Sequence, residues 1–129
     1  MEIVYYRDQN LNYCPVKKYF SQFKNNIDLL ARICRNIDMI AENNGIPQGF
    51  FSKKLSGLDG FEVKVRKSKG TVIRIIYFLH QNKMILLNAF EKPDNYDTRK
   101  EKRKIDKQIE IAKQYIKNYK LNPKLYEKY

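Results

Sequence analysis

Over residues 61–66 apolar and polar side chains alternate: Phe61, Val63 and Val65 against Glu62, Lys64 and Arg66. A period of two predicts a strand with one buried face and one charged face. The following run, Thr71–Leu79, is apolar on both faces apart from Arg74, so it is expected at the centre of a sheet, with helices over one face. Met84–Phe90 supplies a third apolar run. The separating turns, Lys67–Gly70 and His80–Lys83, are short, and short turns join antiparallel neighbours, so these runs predict a three-stranded meander.

Upstream the pattern is mostly helical. Glu2–Tyr6 alternates as a short strand, and Pro15 suits the first position of a helix whose face carries Val16, Tyr19, Phe20 and Phe23. A longer helix is expected over Asn26–Asn43, with Ile27, Leu30, Ala31, Cys34, Ile37 and Ala41 as its buried stripe. Leu29, Ile33 and Ile40 widen that stripe, and Gly45 and Pro47 end the helix. After the strands comes a loop with Pro93, Asp94, Asn95 and Asp97. Thr98 and Glu101 then have capping-box spacing, and Ile105, Ile109, Ala112, Ile116 and Tyr119 give a final helix one apolar face. Pro123 and the polar tail predict fraying over 119–129. The expected class is therefore α+β: an N-terminal strand, two helices, a three-stranded antiparallel meander and a C-terminal helix.

Composition narrows the partners. At 129 residues the chain suits one domain, 1–129, and its 26 Lys plus Arg against 14 Asp plus Glu leave a net charge of +12. Such a charge is an electrostatic footprint for nucleic acid or an acidic membrane surface, or else the mark of Lys- and Asn-rich coding. Arg66, Arg74 and Lys92 lie in or just after otherwise apolar strand runs. A cation there costs several kcal/mol unless it is paired or opens onto solvent, so the sheet is expected to present a cationic surface. Arg99, Lys100, Lys102, Arg103 and Lys104 load the first turns of the last helix, against its dipole. They mark either a binding surface or a solvated basic face.

Other residues exclude more than they suggest. Met1–Tyr6 has no leader-like apolar run, and Ile75–Leu79 and Met84–Leu87 are too short to span a bilayer, so a cytoplasmic protein away from membranes is expected. Cys14 and Cys34 lack metal-ligand spacing and read as reduced thiols. His80, the single histidine, falls in a predicted turn and reads as a surface residue. No motif calls for a metal or other cofactor.

The order of elements resembles the RelE/ParE toxin superfamily. Lys54-Leu55-Ser56-Gly57-Leu58 with Phe61–Arg66 is similar to that family's K-L-x-G-x-L-x-E-x-R strand, and Val72–Tyr77 is similar to its Y-R-I-x-Y strand. Ile85-Leu86-Leu87-Asn88-Ala89-Phe90-Glu91-Lys92 is similar to its I-x-L-L-x-x-F-x-K strand, and the chain most resembles the HigB-like, phage-associated members. The resemblance implies the toxin of a type II toxin–antitoxin system: an endoribonuclease that cuts mRNA on the ribosome. It also implies inhibition by a cognate antitoxin, often of helix-turn-helix type, in a hetero-oligomer. Arg66, Arg74 and Lys92 match positions that bind or polarise the scissile phosphate. The chain departs from the pattern at Asn88, where many HigB-like members carry histidine, at Pro93, which replaces a second lysine, and in lacking a later Thr-Pro.

RNA carries its own nucleophile, the 2′-hydroxyl, so alignment and fixed cations can supply most of the catalysis without a metal. Arg66 and Arg74 are expected as a phosphate clamp, with Lys92 adding charge or a proton. Glu62 is either a base or, more commonly for such a residue, an ion-pair partner of Arg66 or Arg74. Lys53, Lys54 and Lys64 are candidate RNA contacts, and Tyr77 is either a stacking platform or a core tyrosine. Two other functions fit the same scaffold: a ParE-like DNA gyrase inhibitor and a non-catalytic nucleic-acid-binding regulator.

Overall fold

The computed structural model describes residues 1–49, 52–93 and 99–129. The elements run β1 (Glu2–Tyr6), α1 (Pro15–Ser21), α2 (Ile27–Glu42), β2 (Ser52–Lys54), β3 (Phe61–Ser68), β4 (Thr71–His80), β5 (Lys83–Pro93), α3 (Arg99–Leu121) and β6 (Tyr126–Lys128). They form an α+β fold around one mixed six-stranded sheet of order β2-β3-β4-β5-β1-β6. The β3-β4-β5 meander is antiparallel, as its patterning predicts, and β1 lies parallel to β5 from Glu2↔Lys83 to Tyr5↔Leu86. Gln81 and Asn82, with φ of 49° and 61°, turn β4 into β5. Two successive left-handed residues match the strands' own twist at a tight hairpin.

Both faces of the sheet are covered. On one, Leu29, Ile33, Ile37 and Ile40 of α2 and Val16 and Phe20 of α1 pack with Val63, Val65, Ile73, Ile75 and Tyr77. On the other, Ala112, Ile116 and Tyr119 of α3 pack with Val4, Tyr6, Ile76, Phe78, Ile85 and Leu87. This explains why β4 is apolar on both sides. Arg74 is its one charged interior residue.

Local chemistry sets the helix ends. Asn26 caps α2 by accepting a hydrogen bond from the Leu29 amide at 3.2 Å, which satisfies one orphan donor of the first turn. Gly45 closes that helix with φ +77°, and a Cβ there would stand 2.3 Å from a methyl of Leu79. Only glycine fits both constraints.

Three expectations need correcting. The buried stripe of α2 is Leu29, Ile33, Ile37, Ile40 and Ala41, whereas Ile27 is 77% exposed and Ala31 is exposed. With apolar residues on most of the helix, periodicity alone leaves two adjacent faces possible, and contact with the sheet selects the face carrying the larger side chains. A short strand, β2, was not expected; it extends the meander by pairing with β3. Nor is the C-terminal tail frayed: Pro123 ends the helical run, Leu125 is buried, and Tyr126–Lys128 pair antiparallel with β1. Glu127 anchors this strand, accepting from Arg7 at 2.6 Å, Lys17 at 3.1 Å and the Cys14 thiol at 3.1 Å. The capping box at Thr98 and most of the preceding loop (94–97) lie outside the described residues. Among the described residues no helix is long and apolar enough to cross a membrane.

Candidate functional site

Register decides which side chains share a face, because directly opposed residues in an antiparallel pair point the same way. Across β3, β4 and β5 the rows are Arg66–Val72–Lys92, Lys64–Arg74–Phe90 and Glu62–Ile76–Asn88. Ile76 belongs to the core under α3, so all three rows lie on the α3 side of the sheet. The two arginines and the lysine singled out in the sequence are thus brought to one face of three adjoining strands.

A β-bulge makes this possible. Tyr77 opposes Leu86, yet Ile76 opposes Asn88, so Leu87 is an extra residue in β5. The insertion reverses the alternation beyond it. Ile85 and Leu87 face α3, and after the bulge Asn88, Phe90 and Lys92 follow them. Unbroken alternation would have aimed Ala89 and Glu91 at this face and sent Lys92 to the other.

The electrostatics are uneven across the rows. Glu62 is 2% exposed and its Oε1 receives the Arg74 guanidinium in a buried ion pair. The same oxygen lies 3.4 Å from Lys53 Nζ, so one carboxylate serves two cations. Arg74 Nε is buried with no hydrogen-bond partner among the described residues. Arg66 is exposed, and Lys92 is buried at 4% exposure. Asn88 reaches α3, its Nδ2 donating to the Gln108 carbonyl at 3.1 Å and to Gln108 Oε1 at 2.9 Å.

Not every expected residue joins this surface. Tyr77 lies on the opposite face, fully buried, and its hydroxyl donates to the Gly45 carbonyl at 2.9 Å. Burial pushes its pKa up, and no face of the ring is open to a base, so the stacking role is withdrawn. Lys54 opposes Phe61, and its Nζ stands 5.1 Å from that ring's centroid, again on the helix-pair side. Lys53 and Lys64 remain on the site face. His80 ends β4 six residues from Arg74, about 20 Å along a strand, and packs its ring 5.7 Å from that of Tyr119. Among the described residues no group of three His, Cys, Asp or Glu side chains could hold a metal ion.

Comparison with known families bears on this geometry. Residues 18–117 match the family described as phage-derived protein, Gp49-like (DUF891). The chain belongs to this Gp49-like family. The family falls within the RelE-like group of toxin–antitoxin proteins, so a Gp49-like chain has a toxin-like character and points to an antitoxin as partner. No curated protein and no solved structure matches it. The matched span includes β3, β4 and β5 complete, and so all three rows of the Gp49-like site.

Proposed function

We propose that this protein is a HigB-like toxin that cleaves mRNA, on the ribosome, through the cationic rows of its sheet. The observation that carries the reading is the convergence of Lys64, Arg66, Arg74 and Lys92 on one face, with a bulge aiming the last of them there.

In this reading the RNA's 2′-hydroxyl gives up its proton to water and attacks the adjacent phosphorus as the P–O5′ bond breaks, and the protein stabilises the charge that accumulates on the phosphorane oxygens. Arg66, exposed at the rim, engages the phosphate first. Arg74, deeper and held by Glu62, presents an oriented guanidinium. Lys92 adds charge or protonates the leaving oxygen. Glu62 acts as a positioning residue, since its Oε1 is already shared by Arg74 and Lys53. A cognate antitoxin would hold the protein inactive in a hetero-oligomer in the cytoplasm.

The test is to induce the protein and map new mRNA 5′ ends. Wild type should generate them, and Arg66→Ala, Arg74→Ala and Lys92→Ala should each slow cleavage by about 10²–10³. Cleavage should persist with a chelator at levels that leave ribosomes intact. Near-wild-type cleavage by all three variants overturns the clamp, and a DNA-damage response with intact mRNA would indicate gyrase inhibition instead.

A further inference from the structure

β2 pairs with β3 only from Phe61 to Val63. Beyond it, among the described residues, the outer edge of β3 is met by side chains of α2 in place of a strand. Asn36 Nδ2 donates to the Lys64 carbonyl at 3.2 Å, and Arg32 Nη1 donates to the Arg66 carbonyl at 2.6 Å. The two spacings agree, since four residues of helix rise about 6 Å and two residues of strand about 6.7 Å. The buried stripe of α2 packs on the sheet face away from the cationic rows. Its flank, however, reaches the backbone of the two β3 residues whose side chains carry the rows' cations, Lys64 and Arg66.

Arg32 is exposed, yet it is held in place. Asp28, four residues earlier at the spacing that favours a helix ion pair, is not its partner; the guanidinium turns to the strand edge instead. The bond to the Arg66 carbonyl uses one of the guanidinium's five N–H donors and leaves the others for a ligand. With Lys64 and Arg66 on the same stretch of strand, that ligand must be anionic.

We propose that Arg32 extends the RNA-binding surface around the edge of β3, holding a backbone phosphate next to the one that Arg66 engages. A mobile surface arginine loses rotamer freedom when it binds, whereas Arg32 has lost it already in the folded protein. Its remaining donors then meet phosphate oxygens through the planar fork. The proposal rests on reading the cationic rows as an RNA surface, and it gives the RNA a direction: off the sheet across β3, past Arg66, toward α2.

A single-stranded 2′-O-methyl RNA lacks the attacking hydroxyl, so it reports binding to the full-length protein without cleavage. Arg32→Gln should weaken this binding roughly eightfold at about 50 mM salt, and should cut the slope of log affinity against log salt by about 0.7, the counterion-release values for one phosphate contact. Arg32→Lys should keep the slope and lose part of the affinity, because an ammonium retains the charge but not the fork. Arg35→Gln, which removes an exposed charge from the same helix, should leave the slope unchanged. An unaltered slope in Arg32→Gln, an equal change in Arg35→Gln, or no binding of this RNA by wild type would each overturn the proposal. Slow mRNA cleavage by the Arg66, Arg74 and Lys92 variants alongside any of these results would leave the clamp standing. Arg32-dependent binding by a protein that generates no new mRNA 5′ ends would support the edge contact and remove the nuclease.

Discussion

Glu62 shows how one residue's surroundings assign it a role. As a carboxylate two positions from Lys64 and four from Arg66 it reads as a base or, more commonly, as an ion-pair partner, and the structure gives its Oε1 both Arg74 and Lys53. The two cations differ in what they stand to lose. Lys53 has a half-exposed side chain, whereas that of Arg74 is 13% exposed and would be left as a buried, uncompensated charge. Glu62→Gln should therefore destabilise the protein by about 3 kcal/mol, measured by urea denaturation, while Lys53→Gln should cost less than about 1 kcal/mol. Similar losses from the two would mean that Arg74 does not depend on Glu62.

At the scale of elements, α2 and β6 each make a claim that spacing alone did not. The sheet-facing stripe of α2 predicts that Ile33→Ala costs about 2–5 kcal/mol through a lost side chain and a cavity, while Ile27→Ala, at 77% exposure, falls within about 0.5 kcal/mol. Comparing their thermal midpoints checks which face is buried. For β6 the lock is Glu127, whose pKa is lowered from 4.5 to about 2 by hydrogen bonds from Cys14, Lys17 and Arg7. A folded-state pKa below the unfolded value means that the contribution is complete above about pH 4.5 and is lost as pH falls through about 2. Stability measured from pH 6 to 2 should decline across that window, and Glu127→Gln should flatten the decline. The Cys14 thiol, pushed up to about 12 by burial and the neighbouring carboxylate, should resist alkylation at pH 8 in the folded protein.

For the whole molecule, the net charge of +12 becomes informative only once its distribution is known. Lys64 and Arg66 stand on the site face, and Lys54 stands on the opposite one. In single-stranded RNA binding, the slope of log affinity against log salt should shrink by about 0.7 for each phosphate contact removed. Lys64→Gln and Arg66→Gln should each show that change and Lys54→Gln should not. An equal response from all three would indicate a diffuse charge effect without a defined surface.

The meander, its antiparallel turns and the α+β class were legible in one dimension because alternation with period two and tight turns are local properties, written within about ten residues of each other. The family-like strands, and with them Arg66, Arg74 and Lys92, could be picked out for the same reason. Other features depend on contacts between residues far apart in the chain. The bulge at Leu87 turns Lys92 to the working face, yet no composition or spacing marks it, since it arises from pairing β5 with β4. Tyr77 and Lys54 looked eligible for RNA contact until register placed them on the side of α1 and α2. The tail pairs because Leu125 and Glu127 meet partners more than a hundred residues away, Arg7 and Cys14. Periodicity reports which side chains share a face of one element; which face meets the core, and which meets a phosphate, is set by the neighbours that the fold supplies.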